Sequence, residues 1–275
     1  MADIWQERKK QNAIRAHKKA SAKNNIIKIA LALLILHLLF PQYIKRIIYP
    51  ILFGTQSNIS MQISKTDNFQ DISAAPIEIK KGRFSYLLLP KVEYSVTGRV
   101  GYVDTYNGIW NKFYRGFSQQ KYITLVPRDI FLVIGDMAKP EIFSMFKFEH
   151  EERGGSVLCK GVKYRKSFMS SYKSQEEAAE SQKNYEHCHP YIKQKELNNY
   201  HPIAANKKID LGLSTLLPND ILYMEGYLVD VPQMGLSTGT RKEQTHSNMI
   251  MNGYNPGKCF ILYTTKVIIN GIVYE

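Results

Sequence analysis

Cysteine is scarce. Three occur in 275 residues, Cys159, Cys188 and Cys259, which excludes a disulfide-dense mini-domain. Tryptophan is scarcer still, with two. Acidic residues are also in short supply: 24 Asp and Glu face 37 Lys and Arg, a net charge of +13 with pI ≈ 9.4. An imbalance of this size points to an acidic partner such as nucleic acid or an anionic membrane surface. There is no internal repeat and no low-complexity tract, which excludes a solenoid. A mean hydropathy of −0.30 excludes a polytopic membrane protein but permits one span. With 44% apolar and 22% charged residues the chain is not a disordered one.

One long apolar run is present. Ile29 to Ile44 contains no Asp, Glu, Lys or Arg. With Ile26 and Ile27 included, and Lys28 reaching back to the interface, the segment spans about 28 Å as a helix, close to the roughly 30 Å hydrocarbon thickness. Residues 1–28 carry eight basic and two acidic side chains, and only Lys45 and Arg46 follow the run directly. The positive-inside rule places the N-terminus in the cytoplasm and the rest outside it. The alternatives are a cleaved signal peptide and a buried core or surface amphipathic helix. The basic leader is long for the first and no small-residue cleavage site follows; apolar residues surround the helix, against the second. A retained signal anchor over 26–44 is therefore the expectation, touching membrane lipid. His37 within it needs only a hydrogen bond inside its helix.

Residues 45–82 read as an interfacial segment and linker leading to the first strands. From Phe84 the texture becomes β-branched and aromatic. Phe84–Leu89, Val92–Val100, Tyr122–Val126, Ile130–Ile134, Ile221–Val231 and Cys259–Ile269 are candidate strands. Tyr94, Val96 and Gly98 alternate with Glu93, Ser95, Thr97 and Arg99, the period of a half-buried strand. Asn270-Gly271 between two apolar runs predicts a type I′ hairpin. Helices are few: one opening at Pro140-Glu141, one capped by Ser174-x-x-Glu177, and one over Lys207–Leu217. The second sits in a polar, partly helical insertion at 150–199. The expected fold class is mainly β (α+β), an N-terminal membrane helix followed by a barrel- or sandwich-like domain over 83–275 with two or three short helices.

Two blocks carry a resemblance. One is Tyr86-Leu-Leu-Leu-Pro-Lys-Val-Glu-Tyr-Ser-Val-Thr-Gly-Arg-Val100, followed by Pro127-Arg-Asp-Ile-Phe-Leu-Val-Ile-Gly-Asp-Met137. The other is His201-Pro-Ile-Ala-Ala-Asn206, then Asn219-Asp-Ile-Leu-Tyr-Met-Glu-Gly-Tyr-Leu-Val229 and Gly257-Lys-Cys259. Their order resembles a family of uncharacterised bacterial proteins with one membrane helix and an envelope β-domain. Here Asn219-Asp220 stands where that family has Gly-Asp, and its mid-chain tryptophans are missing. The resemblance implies a topology and transfers no activity.

Several groups have the residue types of chemistry. Gly235-Leu-Ser-Thr-Gly239 matches G-x-S-x-G, but lacks the strand–helix setting and the spaced acid and histidine of a nucleophile elbow. His187-Cys188-His189, with Cys159 and His150, has zinc-ligand types without zinc-loop spacing; surface residues are the plainer reading. A Cys159–Cys188 disulfide would clip the base of the insertion and is worth about 3 kcal/mol by loop closure. Cys259 reads as a buried thiol. Gly253-Tyr-Asn-Pro-Gly257-Lys258 falls short of a phosphate loop by one residue. Asn58-Ile-Ser60 is a glycosylation sequon only in a eukaryotic secretory pathway. Lys160, Lys163, Arg165 and Lys166 with Tyr164, Phe168 and Tyr172 have the mix of an anion-binding patch, or of a solvated face.

No catalytic, cofactor or metal site is expected. The leading expectation is a membrane-anchored envelope protein whose outer β-domain binds a protein or envelope component. A membrane-anchored hydrolase or metal enzyme using His201, Asp136 or the His187–His189 cluster is the rival. Nucleic-acid binding is weaker, because residues 47–275 hold 27 basic and 22 acidic residues, a net of only +5.

Overall fold

The computed structural model describes residues 28, 41–56, 61–106, 117–151, 154–162, 174–236, 238 and 259–275. The chain divides into two compact units, Met1–Tyr49 and Pro50–Glu275. In the first, Lys28 is helical and helix α1, Pro41–Phe53, begins. No described helix is long and apolar enough to cross a membrane. Most of the expected span at 26–44, His37 included, lies outside the described residues. Ile47, Ile48, Ile51, Leu52 and Phe53 of α1 are exposed, Ile51 to 77%.

The second unit is mainly β, with a large, mostly antiparallel sheet. Its strands are β1 Thr55–Gln56, β2 Asn68–Asp71, β3 Ile77–Lys81, β4 Phe84–Thr105, β5 Arg128–Val133, β6 Phe146–Glu151, β7 Gly154–Cys159, β8 Leu197–Ala204, β9 Ile221–Asp230, β10 Cys259–Ile269 and β11 Ile272–Tyr274. Helices α2 Phe117–Leu125, α3 Pro140–Phe143, α4 Gln175–Cys188 and α5 Lys207–Leu213 lie between them.

Five strands pair in a closed cycle. β4 is antiparallel to β5, and β5 to β8. β9 returns to lie beside β4, so the spatial order β9-β4-β5-β8 is a Greek key. β10 then pairs parallel with β8 and antiparallel with β9, completing the cycle. β4 serves two neighbours on one long strand, and its register slips between Pro90 and Val92 and between Val100 and Tyr102. Such bulges bend a strand and raise its twist.

Strand alternation decides what fills the cycle. Val92, Tyr94, Val96 and Val100 of β4, Ile130 and Leu132 of β5, Tyr200 of β8, Leu222, Met224 and Leu228 of β9, and Phe260, Leu262 and Val267 of β10 form one buried cluster. All five strands contribute to it, so it occupies the inside. Ile209 and Leu213 of α5 join it. Asn206 caps α5, its side-chain oxygen accepting from the Ile209 N–H at 3.0 Å. The residues between point outward and are covered too. Phe131, Val133 and Leu197 pack with Phe146 and Val157 of the β6–β7 hairpin; Tyr86, Leu88, Ile203 and Ile261 pack with Leu125 of α2. Burial on both faces explains why β5 reads as a continuous apolar run after Asp129.

Three expectations change. Tyr122–Val126, read as a strand, closes helix α2 instead. Its β-branched residues are weak helix formers, but Ile123, Leu125 and Val126 gain burial there and the Thr124 hydroxyl donates to the Gln120 carbonyl at 2.7 Å. Residues 55–82, read as linker, supply β1, β2 and β3, which pair with β11 and β4. The second unit has four α-helices among its described residues where two or three were expected, and the insertion contains strand β7 as well as α4. Ser174 caps α4 as expected, its hydroxyl accepting from the Glu177 N–H at 3.2 Å.

Asn270 and Gly271 turn the chain between β10 and β11 with φ of 48° and 84°, the left-handed values of a type I′ turn. Gly226 on β9 has φ of 156°, and a Cβ there would stand 2.0 Å from the Tyr263 carbonyl oxygen on β10. That obstacle is backbone in a paired strand and cannot rotate away. Gly226→Ala is expected to destabilise the domain by about 3 kcal/mol or more, read as a lowered thermal unfolding midpoint; an unchanged midpoint contradicts the close β9–β10 approach.

Candidate functional site

β5 opens with two charged residues, Arg128 and Asp129, before four apolar ones. Both are buried, Arg128 at 3% and Asp129 at 0% exposure. As neighbours on a strand they face opposite ways.

Asp129 faces outward. Ile130 pairs with Tyr200 in the antiparallel β5–β8 register, so one step along Asp129 and His201 stand opposite each other. His201 Nδ1 hydrogen-bonds Asp129 Oδ1, and the Tyr106 hydroxyl donates to Asp129 Oδ2. Burial first, and then the bond to Asp129, raises the Tyr106 pKa far above its ordinary value, so Tyr106 keeps its proton and acts as donor. Tyr122 of α2 edges onto the His201 ring, with centroids 6.3 Å apart and its hydroxyl 3.5 Å from Nδ1. With Nδ1–H donating to the carboxylate, the imidazole lone pair lies on Nε2. An oriented imidazole backed by a buried carboxylate has the form of a general-base relay. Tyr106 leads into 107–116, which lies outside the described residues.

Arg128 faces the inside. Its Nη1 bonds Asp210 Oδ1 of α5 at 2.8 Å, and its buried Nε has no hydrogen-bond partner among the described residues. Lys81 of β3 donates from Nζ to the Ala204 carbonyl at 2.8 Å. Burial lowers the Lys81 pKa, with Asp210 opposing that shift.

A second polar site is an open cleft of about 230 Å³ on the outside of β2, β4 and β9. Asn68, Gln70, Glu93, Ser95, Tyr223 and Glu225 line it, above Tyr94.

The residues singled out from sequence disperse. His201 is joined to Asp129, as above. Asp136 is exposed, paired with Lys139 at 2.8 Å and Lys193 at 2.7 Å; hydrogen bonds and charge from those two lysines lower its pKa to about 2. It stands outside the Asp129–His201 cluster's hydrogen bonds. Cys159 and Cys188 are disulfide-bonded with Cα atoms 5.8 Å apart, tying β7 to the end of α4. His187 is exposed on α4, and the His189 ring lies tilted against Tyr185 with centroids 4.7 Å apart. With Cys188 in the disulfide, the three adjacent residues lack a thiolate. Among the described residues no three His, Cys, Asp or Glu form a metal-holding group. Gly235 ends a short 3-10 turn, Thr238 accepts from the Ile261 N–H at 3.2 Å, and Ser237 lies outside the described residues. So do 253–258, Asn58–Ser60 and residues 163–172 of the basic patch; Lys160 is exposed.

Sequence reading missed Asp129, Tyr106 and Tyr122 as partners of His201. The available signal was the charged pair Arg128-Asp129 heading an otherwise apolar strand, since a buried charge demands a partner.

Removing one member of this cluster orphans the others. Asp129→Ala is expected to cost about 2 kcal/mol or more, and Tyr106→Phe about 1 kcal/mol, by chemical denaturation. Additive single and double changes would contradict a shared network. Cys159→Ser is expected to cost about 3 kcal/mol and to change mobility under non-reducing conditions. No protein-family model, curated protein or solved structure matches the chain.

Proposed function

We propose that this chain is a single-pass membrane protein with a cytoplasmic N-terminus, whose β-domain lies outside the cytoplasm and binds a protein or envelope component. The observation that carries the placement is the Cys159–Cys188 disulfide, a bond that persists in oxidising compartments and is rare where thiols are kept reduced. Two features agree with it. The uncharged run at 29–44 follows a basic leader. Directly after it, α1 leaves Ile47, Ile51 and Leu52 more than 60% exposed. Burying a side chain of this size is worth about 1.5–3 kcal/mol, so an aqueous setting forgoes several kcal/mol that a lipid interface supplies.

The binding role rests on architecture. A closed cycle of five strands in Greek-key order, filled by side chains, supports reading the domain as an OB-like barrel, a fold whose outer strands and loops serve as binding surfaces. That step is an analogy of fold. The resemblance to single-pass envelope proteins points the same way.

The Asp129–His201 relay favours a second reading, a membrane-anchored hydrolase with His201 as general base. It is subordinate because His201 is 5% exposed and Tyr106 and Tyr122 close around Asp129 and the imidazole. A tie that stabilises the fold loses stability when cut; a catalytic relay loses activity first.

A reporter active only outside the cytoplasm, fused after Glu275, is expected to be active. Activity of a cytoplasm-only reporter at the same position overturns the topology.

A further inference from the structure

We propose that the cleft on β2, β4 and β9 binds a neutral, hydroxyl-rich ligand, namely a saccharide. Calling that saccharide an envelope glycan rests on the extracytoplasmic placement above; the chemistry of the cleft does not.

The cleft follows from register. Asn68 pairs with Ser95 and Gln70 with Glu93 across β2–β4, while Ser95 pairs with Glu225 and Thr97 with Tyr223 across β4–β9. Residues directly paired across a ladder point to the same face. The alternate residues Phe69 and Tyr94 turn inward, their rings 5.0 Å apart in an edge contact. Three neighbouring strands therefore place amides, hydroxyls and carboxylates side by side on one outer surface. The Tyr223 hydroxyl donates to Glu225 Oε2, which holds that carboxylate in place. Asn68, Gln70 and Glu93 line the opening beside that fixed carboxylate.

The lining selects the ligand. It contains two carboxylates and no Lys or Arg, so phosphates and nucleic acids are repelled. It is predominantly polar, so an apolar ligand would strand its hydrogen-bonding groups. A metal ion would find two carboxylates and no third His, Cys, Asp or Glu completing a group among the described residues. A Lys or Arg side chain of a protein partner offers only donors. It would satisfy Glu93, Glu225 and the amide oxygens of Asn68 and Gln70, but it offers no acceptor to their NH2 groups. A sugar hydroxyl donates and accepts at once: to the carboxylates as donor, from the amides as acceptor. Tyr223 also lines the cleft beside them. A volume of about 230 Å³, below the roughly 300–1,000 Å³ of drug-sized sites, has room for a terminal sugar unit and not for a buried polymer.

The test is an equilibrium titration of the full chain in lipid nanodiscs, observed by ligand NMR. The probes are an N-acetylglucosamine trimer, a glucose trimer and hexalysine. Saturable binding of one neutral trimer in the millimolar range is expected, weakened about tenfold by Glu225→Gln, the loss of one charge-assisted hydrogen bond. Gln70→Ala, at an exposed edge-strand position, is expected to weaken it as well without moving the unfolding midpoint. The proposal is overturned if neither trimer saturates, if both variants bind as the wild type does, or if only hexalysine binds. Because the titration uses purified protein, it is blind to membrane topology; a failed topology leaves its result standing.

Discussion

Strand β4 hydrogen-bonds to four other strands along its 22 residues: β3 at its start, β2 and β9 through the middle, β5 at its end. The rest of the domain depends on this strand changing partners without breaking. A straight strand cannot serve β9 and then curl to β5; the two register slips supply the bend. Pro90 sits at the first slip, where one lost N–H donor is tolerated. The same alternation that sends Tyr94 inward to Tyr200 and Phe260 sends Glu93 and Ser95 outward. Core and cleft are two sides of one register, and a one-residue slip would exchange them.

Polar groups inside this architecture are joined in small sets. The Tyr94 and Tyr200 hydroxyls bond each other, and burial, the largest cause for each, raises both pKa values well above the ordinary range. Arg128 reaches Asp210 on one side of β5, and Asp129 reaches His201 and Tyr106 on the other. Each set links elements distant in sequence, which makes it costly to cut and useful for holding one register. This favours a structural tie at Asp129–His201.

Much of the fold was legible in the sequence where one rule acted alone. Asn270-Gly271 marked a hairpin because few other residues accept its dihedrals. Ser174 and Glu177 marked the start of α4. Cys259–Ile269 and Ile221–Val231 were strands because length and β-branching agreed. Legibility failed where tertiary contacts outweighed local preference. Tyr122-Ile-Thr-Leu-Val126 prefers a strand, yet it gains more burial as the end of a helix. Asn68–Asp71 is too short and polar to read as a strand, and exists because β4 has an open side there. The site was half visible: His201 stood out as a residue type, but the register that sets Asp129 opposite it depends on a pairing 72 residues away. The cleft was invisible as a site, since it is assembled from three strands and its polar residues looked like an ordinary solvated face.

The charge excess also changes meaning. Most of the surplus lies in residues 1–28 and at the edge of the apolar run, and the cleft on the domain holds two carboxylates and no Lys or Arg. The central claim is that the domain folds in an oxidising compartment, clipped between β7 and α4. The most direct measurement is to trap thiols in intact cells with a permeant alkylating agent and map Cys159 and Cys188 by mass spectrometry. The account predicts peptides joined through the two residues, with neither alkylated. Both residues alkylated, with no joined peptide, would contradict it.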